Sequence, residues 1–172
     1  DFDGSDEYAD CGTGTGDALG DNYTGDLTVS LWFKADTVSE NAGLFSISTF
    51  STTTNGAIVA RLQTSNGLLF ELDGTAWDRR ASFTDTTSWH HLAVIYAVGS
   101  EANSKMYLDG VAVGSTSGTF PASGTMDFAG LKTIIGALWS ALYPVDGNID
   151  EVAVFTSALS GSQVSDIYHE GV

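Results

Sequence analysis

Cysteine is almost missing from this chain. Cys11 is the only one, so no internal disulfide can form and the fold has no covalent staple. Positive charge is nearly as scarce: six Lys and Arg stand against 22 Asp and Glu, a formal −16. That balance excludes nucleic acid, because phosphate binding needs clustered cations. It excludes an anionic membrane surface for the same reason. Long apolar runs are absent too; the longest, Leu92 to Val98, is far too short to span a bilayer. There are only two prolines, no repeat period and no linker-like stretch. The 172 residues are therefore expected to form one domain over 1–172. A chain this size buries roughly 70% of its unfolded surface and can hold its own core. It starts at Asp1 with neither initiator Met nor signal peptide, which reads as a processed form or a module of something larger. Two uses remain for so many acids. An acidic surface keeps a protein soluble in a salty or extracellular setting, and Asp supplies hard oxygen ligands for Ca²⁺.

What is present is a series of short apolar alternations between Gly, Ser, Thr, Asn and Asp, the pattern of an all-β protein. Thr28 to Ala35 is the clearest strand, with Val29, Leu31 and Phe33 on one face and Ser30, Trp32 and Lys34 on the other. Gly43 to Phe50 is a second. Ala57 to Thr64 and Leu68 to Asp73 flank Asn66-Gly67, and Lys105 to Leu108 and Val111 to Gly114 flank Asp109-Gly110. Both dipeptides suit tight hairpin turns, where the central residues need positive φ. Trp89 to Val98, Leu131 to Ala137 and Ile149 to Thr156 complete the main strands. So many strands with close turns imply a two-sheet antiparallel β-sandwich. One short helix closes the chain. Ser160 and Gln163 form a capping box, Leu159 and Val164 take the staple positions, and Val164, Ile167 and Tyr168 make the apolar stripe before Gly171.

Four blocks in this order resemble the laminin-G-like jelly rolls of the concanavalin A-like lectin/glucanase superfamily. They are Phe2-Asp3-Gly4-Ser5-Asp6-Glu7-Tyr8; Leu27 to Lys34; Trp89-His90-His91-Leu92-Ala93 with Met106-Tyr107-Leu108-Asp109-Gly110; and Asp146-Gly147-Asn148-Ile149-Asp150-Glu151-Val152 with Ala158-Leu159-Ser160. The resemblance implies two curved sheets, terminal strands that meet, and often a structural Ca²⁺. With the chain ends side by side, Asp3, Asp6 and Asp150 become the expected calcium ligands, aided by carbonyls of Gly4 or Ser5. It also implies a sugar-binding or adhesive module of a larger secreted or surface protein. Fold alone does not settle function.

Catalysis is tested against the glucanase pattern, Glu-x-Asp-x-Glu on one strand, which turns all three acids to the substrate. The nearest match is Asn148-Ile149-Asp150-Glu151-Val152. Asn148 and Val152 replace both glutamates, and period two points Glu151 to the other face. The alginate-lyase motifs of the superfamily are absent. No nucleophile elbow, phosphate loop or zinc-spaced set of Cys and His occurs either. His90 and His91 are adjacent in a strand and point to opposite faces, so they do not chelate one ion; His169 has no evident partner, and all three are read as structural. Asn22-Tyr23-Thr24 matches the glycosylation pattern, which has meaning only in a eukaryotic secretory setting.

The expectation is thus a non-catalytic module that binds a glycan, or else a structural or adhesive module of a virion, fibre or cell surface with a protein partner. Trp89 is expected to be buried, following the family resemblance, and Trp32 to pack under a loop, with a sugar platform as its alternative. The expected ligand-binding residues lie on two turn-rich loops assumed to be neighbours. One carries Trp77, Arg79 and Arg80, the arginines being two of the six cations; the other carries Trp139 and Tyr143. Aromatic rings stack on sugar faces, and guanidinium groups bind carboxylate or sulfate in bidentate fashion.

Overall fold

A computed structural model describes residues 1–48, 57–65, 67–73, 77–120, 126–138 and 142–171. Six strands form one antiparallel sheet: β1 (Phe2–Asp3), β3 (Leu27–Ala35), β8 (His90–Tyr96), β9 (Lys105–Leu108), β10 (Val111–Val113) and β13 (Asp146–Phe155). Their spatial order is β1-β13-β3-β8-β9-β10. Seven form the other: β2 (Ala9–Asp10), β4 (Gly43–Ser48), β5 (Ala57–Gln63), β6 (Gly67–Asp73), β7 (Asp78–Ala81), β11 (Ser115–Ser117) and β12 (Lys132–Ile135). Their order is β11-β7-β6-β5-β4-β12-β2. This is the expected sandwich. Thr49 and Phe50, the end of the expected second strand, and Asn66 of the first expected hairpin turn lie outside the described residues.

Alternation decides which side faces in. Val29, Leu31 and Phe33 of β3 are at most 1% exposed and join Phe45 and Ile47 of β4, Leu62 of β5 and Phe70 of β6 in one core. The hairpin at Asp109-Gly110 forms as expected, with φ +51° and +74°, the two positive values a tight right-twisted turn needs. The Asp109 carboxylate also accepts from the backbone N–H of His91, 2.9 Å.

The closing helix α2 (Gly161–Glu170) is capped as expected: Ser160 Oγ accepts from Gln163 N and Gln163 Oε1 accepts from Ser160 N. Val164, fully buried, packs with Leu159 onto Ala93, Ile95 and Tyr107. The helix and the segment before it thus cover part of the outer face of the six-stranded sheet. There Thr28 Oγ1 donates to the Ser157 carbonyl and accepts from Leu159 N, and Thr28 and Ser30, on the polar side of β3, are buried. A second helix, α1 (Gly14–Leu19), is a departure from the single helix expected. It lacks a side-chain N-cap bond, and Gly16 sits where a Cβ would come within 2.4 Å of the Phe128 carbonyl oxygen. Tertiary packing, not helix propensity, holds it. Strand β13 also depends on a glycine. Gly147 has φ +149°, and a Cβ there would meet the Lys34 carbonyl oxygen at 2.2 Å.

Candidate functional site

The described residues of the two expected ligand loops are not brought together. Trp77 is only 1% exposed. Its ring meets Phe70 and Phe120 edge-on at 5.8 and 5.1 Å, and its indole Nε1 donates to Glu101, 3.0 Å. Arg79 donates to the carbonyls of Ser104 and Gly114 at 2.8 and 3.1 Å, and Arg80 is paired with Asp78 through two bonds. Tyr143 is exposed, but it stands beside β4, where its carbonyl accepts from Gly43 N. Strands β5 and β6 separate β4 from the Arg79–Arg80 strand, a gap of about 14 Å at three strand spacings. Trp139 lies outside the described residues. Arg80 is thus engaged by an acid and Arg79 by backbone carbonyls, and the apolar indole of a turn-rich segment is drawn into the core between Phe70 and Phe120.

The expected calcium trio is not brought together either. The chain ends do meet, but through Asp3 facing Asp146 across β1 and β13. Asp150 is four residues further along, about 13 Å away at the strand rise, and faces Trp32. Asp3 spends its Oδ1 on Ser5 N, 2.9 Å. Among the described residues no three His, Cys, Asp or Glu side chains are close enough to hold a metal ion. Asp3, Asp6 and Asp150 thus do not converge as three carboxylates on the one point that a Ca²⁺ cage surrounds with six to eight oxygens.

A different place gathers chemistry. Trp32, Trp89, Asp150 and Glu151 line a cleft of about 250 Å³ on the outer face of the six-stranded sheet. Registration explains the grouping. Asp150 pairs with Trp32 and Trp32 with His91, so all three stand in one row on one face. Trp89 precedes His91 by two residues and so falls on that face, the period of an extended chain. It is 45% exposed, a correction to its expected burial; the inward position next to it belongs to His90, whose ring packs on Phe33 and Phe83. Trp32 does pack, under the helix rather than a loop: it stacks on Tyr168 at 5.6 Å and tilts against His91 at 5.4 Å. His91 itself accepts or donates a bond with Ser30 Oγ at 2.8 Å. Burial lowers its pKa below the ordinary 6.5, so the ring under Trp32 is neutral at pH 7.

Glu151 reaches the cleft by a defect in the ladder. Period two would turn it inward. Instead the register shifts between Asp150 and Ala153, leaving Glu151 and Val152 opposite Leu31 alone. In this β-bulge Val152 takes the core position, and Glu151 is pushed out beside Asp150 with φ +48°. Bulges re-aim side chains in this way and concentrate at functional sites. A positive φ costs a non-glycine residue about 1 kcal/mol. Glu151→Gly should therefore raise stability by up to about 1 kcal/mol in chemical denaturation while weakening any ligand of the cleft. A loss of stability instead would mean that Glu151 holds a structural contact.

The chemistry available is clear. Two indoles offer flat apolar faces with a polar edge. Two carboxylates beside them accept hydrogen bonds, and charged acceptors make the stronger ones. Neither carboxylate is in an ion pair among the described residues. Trp89 and Glu151 were the residues missed from sequence; for Trp89 the signal was its two-residue spacing from His91.

The sequence matches the family model of the concanavalin A-like lectin/glucanases superfamily over residues 3–165. No curated protein matches it. Among solved structures, the carbohydrate-binding module CBM40 of the Ruminococcus gnavus IT-sialidase, bound to α2,3-sialyllactose, superposes with a TM-score of 0.71 at 14% identity. That match covers 95% of this chain and 92% of the module. Domain 4 of the extracellular arabinanase AbnA from Geobacillus stearothermophilus, in complex with arabinotriose, gives 0.61 at 22% identity, covering 87% and 70%. The binding domain of botulinum neurotoxin DC, in complex with rat synaptotagmin II, gives 0.60 at 12%, covering 88% and 37%. At these identities the structural likenesses show a shared fold.

Proposed function

The chain belongs to the concanavalin A-like lectin/glucanases superfamily, and from that premise we propose that it is a non-catalytic carbohydrate-binding module whose site is the Trp32–Trp89 cleft. The observation that carries the reading is the pairing of an exposed indole, Trp89, with the Asp150 and Glu151 carboxylates in one hollow. A sugar ring asks for these two things, a flat apolar surface and acceptors for its hydroxyls. Size agrees with one ring rather than a buried chain: about 250 Å³ is below the ~300–1,000 Å³ of drug-sized pockets. Another surface hollow of similar size, bounded by Lys105, Tyr107 and Leu159, has no indole in its wall among the described residues.

The non-catalytic part rests on the missing carboxylate triplet around Asp150. The setting in a secreted or surface protein, expected from the resemblance, is supported by the extracellular arabinanase among the structural neighbours. Among the described residues no helix is long and apolar enough to cross a membrane. The proposal uses no calcium. A glycan array with the folded chain tests it, followed by titration calorimetry of the best ligand against the wild type and Trp89→Ala. Glycan binding lost in the variant supports the reading. Binding to a protein partner with no glycan on the array would replace it with the adhesive alternative.

A further inference from the structure

Resting on that reading, we infer that the cleft selects a sugar bearing a free amino group over neutral and acidic sugars. Among the described residues its lining is two indoles and two carboxylates. Hydroxyl groups alone would be served by neutral acceptors. Two carboxylates on one side of a cleft carry like charges that a cation neutralises, and an ammonium group within reach of an indole face gains a cation–π attraction as well.

Three further observations point the same way. The second carboxylate is present only because the bulge turns Glu151 outward in a left-handed backbone conformation, so the doubled charge is built at a cost. The Glu151 carboxylate also lies at the C-terminal end of α2: a Cβ on the C-cap Gly171 would stand 3.6 Å from Glu151 Oε2. A helix C-terminus carries partial negative charge, which adds to the field a cation would meet there. Finally, the surrounding chain carries a net −16, which attracts cations and repels sialic or uronic acids. The cation closest along the same face is Lys34, one row on, opposite Asn148; it makes no ion pair with Asp150 or Glu151.

The experiment compares glucosamine oligomers with their N-acetylated counterparts of equal length, and with an α2,3-sialylated trisaccharide, by titration calorimetry. Acetylation removes the charge and leaves the ring. The free-amine oligomer should bind about tenfold more tightly or better at low salt, lose part of that advantage as ionic strength rises, and leave the sialylated sugar without measurable binding. Asp150→Asn with Glu151→Gln, both at exposed positions, should reduce the preference to about twofold or less while the melting temperature holds. Equal or tighter binding of the acetylated oligomer, or a preference that survives the double variant, overturns the inference. If neutral oligomers bind in a Trp89-dependent way without preference for the amine, the carbohydrate reading stands and this inference falls. If no sugar of any class binds the folded chain, both fall.

Discussion

Trp77→Ala should cost about 3–5 kcal/mol of stability and leave glycan affinity unchanged. Trp77 is the largest fully buried side chain among the described residues, 1% exposed. It fills the space between Phe70 and Phe120, and no small residue can do so without leaving a cavity. Large-to-small changes of this kind cost about 3–5 kcal/mol, a large part of the ~5–15 kcal/mol that a domain holds in total. For a chain of this length the melting temperature should fall by about 6–20 °C. Trp77→Phe separates the two contributions, because it keeps a ring and removes the Nε1 bond to Glu101; a loss of about 1–2 kcal/mol is expected. Measurement is by thermal and denaturant unfolding, with affinity read below the transition. A stable Trp77→Ala with lost binding would restore the rim loop as the ligand site.

Trp89→Ala should do the reverse. Its indole is 45% exposed, so little packing is lost and the melting temperature should change little. Against a sugar ring the indole would cover about 80 Å², worth about 2 kcal/mol at ~25 cal/mol per Å². That corresponds to about a thirtyfold loss of affinity. Trp32→Ala should weaken binding by a similar factor and also lower the melting temperature, since Trp32 stacks on Tyr168 and His91. Arg79→Ala and Arg80→Ala should leave affinity untouched, because both guanidinium groups are engaged away from the cleft. Binding is followed by calorimetry on variants first checked for folding. Unchanged affinity in both tryptophan variants would remove the cleft from the account.

Local rules in the sequence were enough for much of the fold. The alternation of β3 placed Val29, Leu31 and Phe33 inward, Asp109-Gly110 turned with two positive φ values, and the capping box at Ser160 and Gln163 formed. These features depend on residues a few positions apart. The site depends on register between strands distant in the chain. That Trp32 stands between Asp150 and His91 follows from pairing across 118 and 59 positions, which no local pattern encodes. The bulge at Glu151 is equally hidden: such a turn of the backbone is usually marked by glycine, and here glutamate occupies it. Trp77 misled for the opposite reason. Its neighbours in sequence suggest a loop, and Phe120 and Glu101, which bury and bind it, are 43 and 24 positions away.

The most direct measurement follows the indole N–H resonances of the chain's four tryptophans by nuclear magnetic resonance during titration with the tightest-binding glycan. Each indole reports on its own surroundings. The Trp32 and Trp89 signals should shift together along one saturation curve while Trp77 stays in place. Shifts at Trp77 or Trp139 with Trp32 and Trp89 unmoved would contradict the account.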